Sequence, residues 1–187
     1  MTIFDEAIKL AVSAHSGQTR KTDTVPYILH PMEAAVIAAS ITDDLDVLSA
    51  AVLHDAVEDT SISLDEIASK LGERVAQLVA AESEDKRDGR PPEETWKLRK
   101  EETLAELAKT TDRDMKILWL ADKLSNLRSI QRALAKEGEA AWKRFHQHDP
   151  GEQGWYYRSV SDLLREELQD TQAWHEYDSL VKAVFEG

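Results

Sequence analysis

One imidazole and three carboxylates directly follow an apolar run in the segment AAVLHDAVEDT, residues 50–60. These ionisable residues are His54, Asp55, Glu58 and Asp59. In one continuous helix they would lie within about 140° of arc, so we expect their side chains to face a common space. An unpaired charge beside apolar side chains costs on the order of several kcal/mol to desolvate, and a bound metal ion would remove that cost. The alternative is a solvated helix end with one or two ion pairs.

A second acidic group lies in the segment ILWLADKLSNLRS, residues 117–129. Asp122, Asn126 and Ser129 share one helical face at the spacing i, i+4 and i+7. The leucine and tryptophan before Asp122 predict partial burial of its carboxylate, and an amphipathic helix with Asp122 in water is the alternative. His30 stands directly before Pro31 at an expected helix start, where a histidine taken alone usually has a structural role.

Two imidazoles and two carboxylates from these segments form a ligand set of intermediate hardness, which suits Mn²⁺, Fe²⁺ or Zn²⁺ better than Ca²⁺. The candidate metal ligands are His30, His54, Asp55 and Asp122. Helices that pack around one cavity can bring such distant positions together. Glu58 and Asp59 lie one turn beyond the ligands, where carboxylates can handle a metal-bound water and its protons. The pattern therefore indicates hydrolysis.

The elements that must position these residues are predicted to be helices. The chain has 187 residues with only 7 glycines and 5 prolines, which is about half the usual share. No segment shows the alternation of a strand. We expect an all-α fold, a single-domain helical bundle of about 8–10 helices over residues 1–187. The motifs occupy a core of about residues 1–135, and residues 136–187 form an aromatic-rich helical extension. We expect its role to be packing, and the alternative is a substrate lid or a dimer surface.

Capping and breaking residues predict where these helices lie. We expect helices over about residues 3–15, 31–39, 93–109, 112–134, 137–145 and 154–187, with Thr2 capping the first. A further helix capped near residues 42–44 carries the whole 50–60 segment. A capping box at residues 63–66 begins the next helix, which ends before Gly72 and is followed by another. Residues 82–92 include no apolar side chain and are predicted to form a solvated loop.

Charge and cysteine content limit the classes of partner. The chain has 36 acidic against 23 basic residues, a net charge of -13 and no cysteine. An acidic chain repels nucleic acid and anionic membranes, so any anionic ligand must be held by local cations. The absence of cysteine excludes disulfides and thiolate chemistry and fits a reducing compartment. No apolar run is long enough for a membrane span. We therefore expect a cytoplasmic protein without a nucleic-acid or membrane partner, and a homo-oligomer remains open.

Three segments in order carry a resemblance to a known family. They are HSGQTRKTDTVPYILHP at residues 15–31, AAVLHDAVEDT at residues 50–60 and LADKLSNLR at residues 120–128. With them the chain resembles the HD-type metal phosphohydrolases and, among these, the hydrolase domain of the RelA/SpoT-type alarmone enzymes. Long members of that family add a synthetase domain and regulatory modules, for which 187 residues leave no room. The chain is thus similar to a stand-alone small alarmone hydrolase.

The resemblance implies a role for individual residues. It implies that the four candidate ligands hold one divalent ion, usually Mn²⁺, and that Glu58 and Asp59 are the catalytic pair. It further implies nucleotide contacts through Arg20, Lys21, Tyr27 and Asn126. The implied reaction removes the 3′-diphosphate of (p)ppGpp and releases GDP or GTP with pyrophosphate. The alternatives are hydrolysis of another nucleotide phosphate, such as the 2′-phosphate of NADPH, and a nucleotide sensor without turnover.

Overall fold

The computed structural model describes residues 2–20, 25–84 and 89–186. These residues form ten α-helices and one 3₁₀ helix, and their only β pairing is an isolated antiparallel bridge between Thr19 and Pro26. The all-α prediction is therefore confirmed. Lys21 lies outside the described residues. The helices are α1 (Ile3–Ala14), α2 (Leu29–Ala39), α3 (Leu45–Leu53), α4 (Ala56–Asp59), α5 (Leu64–Leu71), α6 (Glu73–Glu82), α7 (Pro92–Lys109), α8 (Arg113–Glu137), the 3₁₀ helix (Gly138–Arg144), α9 (Pro150–Leu168) and α10 (Gln172–Phe185).

Helix α8 runs through the centre of the bundle. It begins where the Asp112 side chain accepts a hydrogen bond from the backbone N–H of Asp114, and it ends at Gly138, whose φ of 60° suits glycine. Helices α2, α3, α6, α9 and α10 all pack against it. Leucines on several of its faces are fully buried, including Leu120 and Leu124. Because it is surrounded, α8 places Asp122 inside the protein.

Helices α2 and α3 complete the packing that surrounds this carboxylate. Every residue of α3 from Val47 to Leu53 is buried, as expected for a helix that is apolar on all faces. Helix α1 packs on α3, and α2 contacts both α3 and α8. His30 lies in the first turn of α2 and His54 directly follows α3. The mutual packing of α2, α3 and α8 thus brings together residues from three distant parts of the chain.

The expectation of one continuous helix through residues 50–60 was wrong. Helix α3 ends at Leu53, the backbone turns at Asp55 with φ −89° and ψ −7°, and the short helix α4 follows. His54 and Asp55 therefore form the turn between the two helices.

Other helix boundaries also differ from the prediction, and the helix predicted over residues 137–145 is the 3₁₀ helix Gly138–Arg144. Helix α2 begins at Leu29, so Pro31 is its third residue instead of its first, which is tolerated because the first N–H groups of a helix have no partner within it. The predicted helix over residues 154–187 is divided into α9 and α10. Thr171 causes the division, since its side chain accepts a hydrogen bond from the backbone of Trp174 and starts α10. The turn allows α10 to pack on both α8 and α9.

The aromatic residues of the C-terminal extension pack mainly against one another. The Trp142 ring lies 5.8 Å from that of Phe185, and the Phe185 ring stacks on Tyr157 at 5.6 Å. A Cβ atom at Gly154 would lie 3.0 Å from the Cβ of Phe185, so glycine permits this close approach. Packing of the terminal helices accounts for these residues. None of the helices in the described part of the chain is long and apolar enough to cross a membrane.

Candidate active site

The ring nitrogens of two histidines and one carboxylate meet in the interior of the bundle. The Nε2 atoms of His30 and His54 lie 3.2 Å apart. Asp122 Oδ1 lies 3.0 Å from the first and 3.4 Å from the second. All three side chains are buried, and their donor atoms lie within 4.8 Å of one another. His30 and Asp122 are 92 residues apart in the chain, and the contact of α2 and α3 with α8 closes that separation.

Asp55 adds a second carboxylate to this cluster. Its Oδ2 atom lies 3.1 Å from His54 Nε2 and 3.4 Å from His30 Nε2. The structure therefore brings together all four residues that the sequence analysis predicted as metal ligands. We refer to His30, His54, Asp55 and Asp122 as the ligand cluster.

Outer hydrogen bonds turn both imidazoles towards the centre of the ligand cluster. His54 Nδ1 lies 2.8 Å from the carbonyl oxygen of Ala51, which can only accept a hydrogen bond, so Nδ1 carries the proton. His30 Nδ1 lies 2.8 Å from Ser125 Oγ, and that hydroxyl donates to Glu33 at 2.7 Å. Each Nε2 atom is thus left with an inward lone pair.

Two lone pairs and two carboxylates that face one point repel each other unless a positive charge lies between them. A divalent transition metal with nitrogen and oxygen ligands matches this donor set. The residues present therefore fit a metal ion. This fit depends on their chemistry and orientation, and the bonds to Ala51 and Ser125 maintain it.

The electrostatics of the ligand cluster keep its carboxylates charged. Burial raises the pKa of Asp55, but His54 and His30 outweigh burial and hold that pKa well below its usual value. Burial likewise raises the pKa of Asp122, and Lys123 with His54 lowers it further than burial raises it. Burial lowers the pKa of His54, yet the two carboxylates hold it well above its usual value. The two carboxylates thus carry negative charge, which a divalent cation between them would balance.

Both carboxylate oxygens of Asp122 accept hydrogen bonds. Its Oδ2 accepts a hydrogen bond from Lys123, and its Oδ1 accepts one from Asn126 Nδ2 at 2.7 Å. Lys123 also donates to Glu82 Oε1 at 2.9 Å, and Asn126 Oδ1 accepts from Arg20 at 2.8 Å. Burial raises the pKa of Glu82 to about 8. These contacts fix the orientation of the carboxylate towards the two histidines.

The two acidic residues of α4 lie beside the ligand cluster. The Tyr27 hydroxyl lies 3.0 Å from Asp59 Oδ2 and 2.6 Å from Asp55 Oδ2. Burial, followed by the charges of Asp55 and Asp59, raises the pKa of Tyr27, so the hydroxyl keeps its proton. Glu58 Oε1 accepts a hydrogen bond from the backbone N–H of Glu84. Both acidic residues face the same cavity as the ligands.

This cavity has a volume of about 400 Å³ and extends from the ligand cluster to α7, the 3₁₀ helix and α9. Its walls carry several cationic side chains although the chain as a whole is strongly acidic. Aromatic rings from Trp96, Phe145 and Tyr156 line it as well. The cationic lining residues are Arg20, Arg99, Lys100, Lys123 and Arg144.

The prediction of a solvated loop over residues 82–92 was wrong for its first part. Glu82 is 6% exposed and ends α6. Glu84 pairs with Arg99 at 2.9 Å and with Lys100 at 2.6 Å. Burial raises the pKa of Glu84, but Lys100 outweighs it and the pKa falls to about 2. Glu82 is buried and Glu84 is partly buried, and α7 and α8 supply the cations that pair with them.

The sequence analysis also missed the cations that line the cavity from α7, α8 and the 3₁₀ helix. Arg99 and Lys100 are adjacent in an acidic chain, as Arg20 and Lys21 are, and that adjacency was the available signal. Lys123 directly follows the predicted ligand Asp122. Nothing local in the sequence marks Arg144, which reaches the cavity only because the 3₁₀ helix packs on α8.

Comparison with known proteins places this geometry among characterised relatives. A family model described as "HD domain" matches residues 7–149. Human guanosine-3′,5′-bis(diphosphate) 3′-pyrophosphohydrolase MESH1 is 40% identical over 131 residues, which is 68% of this chain and 69% of MESH1. The guanosine-3′,5′-bis(diphosphate) 3′-pyrophosphohydrolase of Aquifex aeolicus is 35% identical over 68% of this chain, but over only 18% of its own length.

Solved structures extend the comparison to the C-terminal helices. The structure of a metazoan ortholog of SpoT that hydrolyses ppGpp matches with a TM-score of 0.77 at 27% identity, covering 98% of this chain and 96% of that one. The structure of lmo0812 from Listeria monocytogenes matches with a TM-score of 0.73 at 32% identity, covering 84% of this chain and 99% of that one. The first match includes the aromatic-rich extension, which the family model leaves largely uncovered.

Proposed function

The chain belongs to the HD domain family, and from that premise we propose that it is the hydrolase that removes the 3′-diphosphate of (p)ppGpp. The products are GDP or GTP and pyrophosphate. One observation carries the proposal: a buried ligand cluster with two adjacent acidic residues opens into a cavity whose walls hold five cations. Relatives that are 40% and 35% identical are named as 3′-pyrophosphohydrolases of this nucleotide.

We propose Mn²⁺ as the metal, held by the ligand cluster. A divalent cation there supplies Lewis acidity to the scissile phosphate and makes a water molecule more acidic. The carboxylates of Asp55 and Asp122 balance its charge. Ser125 and the Ala51 carbonyl keep both imidazoles in the tautomer that binds metal.

Glu58 and Asp59 are proposed to move the protons of the reaction. Asp59 Oδ2 lies next to the Tyr27 hydroxyl, which itself contacts Asp55. A carboxylate at that position can take a proton from the attacking water, and its neighbour can return one to the leaving 3′-oxygen. The buried rings of Trp96 and Tyr156 also line the cavity in which these carboxylates lie.

The cations of the cavity are proposed to hold the nucleotide. Arg20 lies 2.8 Å from Asn126 and projects beside the Tyr27 ring, with its guanidinium 5.9 Å from the ring centroid. A planar guanidinium there can stack on a base or bind a phosphate in a bidentate manner. Arg99, Lys100 and Arg144 line the same cavity and are proposed to contact a second diphosphate, in exchange for their present ion pairs with Glu84 and Glu137. The nucleotide contact predicted for Lys21 extends this proposal beyond the described residues.

A free nucleotide fits this chain better than a nucleic acid. With a net charge of -13, the surface opposes a polyanion, whereas the cations concentrated in the cavity attract a small anion. We propose the cytoplasm as its location because the chain uses no cysteine.

The proposal is tested by incubating the Mn²⁺-loaded protein with ppGpp, pppGpp, GTP, GDP and NADPH. Pyrophosphate and orthophosphate release are measured separately. We expect pyrophosphate from ppGpp and pppGpp, and no release from GTP because it lacks a 3′ group. Orthophosphate from NADPH with ppGpp left intact would replace the proposed substrate. Nucleotide binding without any turnover would indicate a sensor instead of an enzyme.

A further inference from the structure

The connection between α1 and α2 contacts one carboxylate of the ligand cluster directly and the other through Asn126. Its two sides are held together by hydrogen bonds from Tyr27 N–H to the carbonyl of Gln18 at 2.9 Å and from Arg20 N–H to the carbonyl of Val25 at 3.0 Å. From one side, Tyr27 reaches Asp55 at 2.6 Å. From the other side, Arg20 donates a hydrogen bond to Asn126, which in turn donates to Asp122. This connection is therefore part of the support of the metal site.

The same connection holds Asp59 at two points. Gln18 Nε2 donates to the backbone carbonyl of Asp59 at 3.0 Å, and the Tyr27 hydroxyl lies 3.0 Å from its Oδ2. Asp59 is the last residue of α4, a helix of only four residues. So short a helix has little stability of its own. The position of the Asp59 carboxylate therefore depends on contacts from outside α4.

The side chain of Tyr27 is itself held in place by a stacked histidine ring. The buried ring of His15 stacks on the Tyr27 ring with the centroids 4.9 Å apart and the planes at 29°. His15 Nδ1 lies 2.8 Å from Gln18 Oε1, an atom that only accepts, so His15 donates and holds the Gln18 amide towards Asp59. His15, Gln18 and Tyr27 thus form one connected set, which we call the Asp59 clamp.

We propose that Tyr27 is a positioning residue, whose hydroxyl sets the Asp59 carboxylate at a fixed place relative to Asp55 and the metal. This role differs from the nucleotide contact predicted from the sequence. The inference rests on the proposed metal-dependent hydrolysis, and it does not depend on which nucleotide is the substrate. His15 supports Tyr27 by stacking on its ring, and Gln18 holds the backbone carbonyl of Asp59.

The first test replaces the hydroxyl alone. Tyr27→Phe should keep full metal occupancy, change KM for ppGpp by less than about threefold and lower kcat by roughly 10- to 100-fold. Tyr177→Phe is the matched control, because it removes a buried tyrosine hydroxyl that donates to the Tyr157 carbonyl at 3.0 Å and contacts no carboxylate of the site. The control should keep its kcat. Gln18→Ala, which removes the tether to the Asp59 backbone and the hydrogen bond from His15, should lower kcat by a smaller factor.

A double-mutant cycle then asks whether Tyr27 acts through Asp59. In an Asp59→Asn background, Tyr27→Phe should cause little further loss of kcat, because the carboxylate that it positions is already gone. Losses that multiply would overturn the inference, as would a raised KM with unchanged kcat, which indicates a nucleotide contact. Loss of the metal in Tyr27→Phe would also overturn it.

A second substrate separates the test of the role of Tyr27 from the test of the proposed nucleotide substrate. The same variants are assayed with bis(4-nitrophenyl) phosphate, a general substrate for metal-activated hydrolysis. Wild-type protein that cleaves this probe and leaves ppGpp intact would overturn the proposed substrate, while the cycle would still decide the role of Tyr27. Wild-type protein that hydrolyses neither compound would overturn both proposals.

Discussion

The rings of His30 and His54 meet edge to face, with their planes at 82° and their Nε2 atoms 3.2 Å apart. Each ring has its Nδ1 atom engaged on the outside, by Ser125 and by the Ala51 carbonyl. Neither imidazole can rotate away without leaving a buried polar group unpaired, which costs about 1–3 kcal/mol. The pair is thus preorganised to share one cation with the carboxylates beside it.

Removal of the metal should abolish hydrolysis. We expect EDTA-treated protein to be inactive and to recover on addition of Mn²⁺, since the ligand cluster otherwise lacks its central charge. His54→Ala and Asp122→Ala should lose bound metal, as measured by elemental analysis. Free metal at 100 times its Kd should stabilise the wild type by about 2.7 kcal/mol, measured by thermal unfolding. His175→Ala, an exposed histidine on α10, is the control and should keep both metal and activity. Full activity in metal-free protein would contradict the assignment.

Substitution of the acidic pair should separate metal binding from turnover. Glu58→Gln and Asp59→Asn each retain the shape of the side chain, so the ligand cluster should still bind metal stoichiometrically. We expect kcat to fall by roughly two orders of magnitude or more, because the proton-handling groups are lost. The measurement is kcat together with metal content. Turnover near that of the wild type in both variants would remove these residues from the mechanism.

Arg20→Ala should weaken nucleotide binding more than catalysis. The guanidinium faces the cavity and contacts Asn126 at 2.8 Å, without touching a ligand of the metal. We expect KM for ppGpp to rise roughly 10-fold or more while metal affinity stays the same. Arg165→Ala is the control, since its guanidinium pairs with Asp162 on the surface at 3.0 Å. An unchanged KM for Arg20→Ala would exclude the proposed contact.

Asp112 should make the stability of the protein change with pH in the acid range. It caps α8 and accepts hydrogen bonds from Arg74, and that contact holds the pKa of Asp112 below its usual value. A carboxyl whose pKa is lower in the folded state adds stability that is present above its unfolded pKa, near 3.9, and is lost as the pH falls through the folded pKa. The stability difference between wild type and Asp112→Asn should therefore shrink below about pH 4.

The cap itself is measured by a second substitution at the same position. Asparagine keeps a capping side chain, whereas Asp112→Ala removes it and should lower the free energy of unfolding by about 1–2 kcal/mol at pH 7. Urea unfolding measures both differences. Asp162→Asn, on an exposed pair, should change stability by less than about 0.5 kcal/mol. A wild-type advantage over Asp112→Asn that grows towards acid pH would contradict the sign of this prediction.

Local sequence was sufficient for the all-α class and for the types of residue at the site. The scarcity of glycine and proline predicted an all-α protein, and Thr2 caps α1 through its hydrogen bond from Asp5 as expected. Spacing within α8 placed Asp122 and Asn126 on one face, where they now share a hydrogen bond of 2.7 Å. These features follow from interactions within a few residues of chain, so short-range periodicity and capping chemistry determine them.

Only the tertiary structure decided how the site is completed. The burial of Glu82, the pairing of Glu84 with Arg99 and Lys100, and the contact of Tyr27 with two carboxylates all depend on helices that meet from distant parts of the chain. The bond from Tyr27 to Asp55 spans 28 residues, and the bond from Arg20 to Asn126 spans 106. Such contacts arise because a packed interior forces buried charges to find partners wherever the fold supplies them, and no local pattern specifies which partner that is.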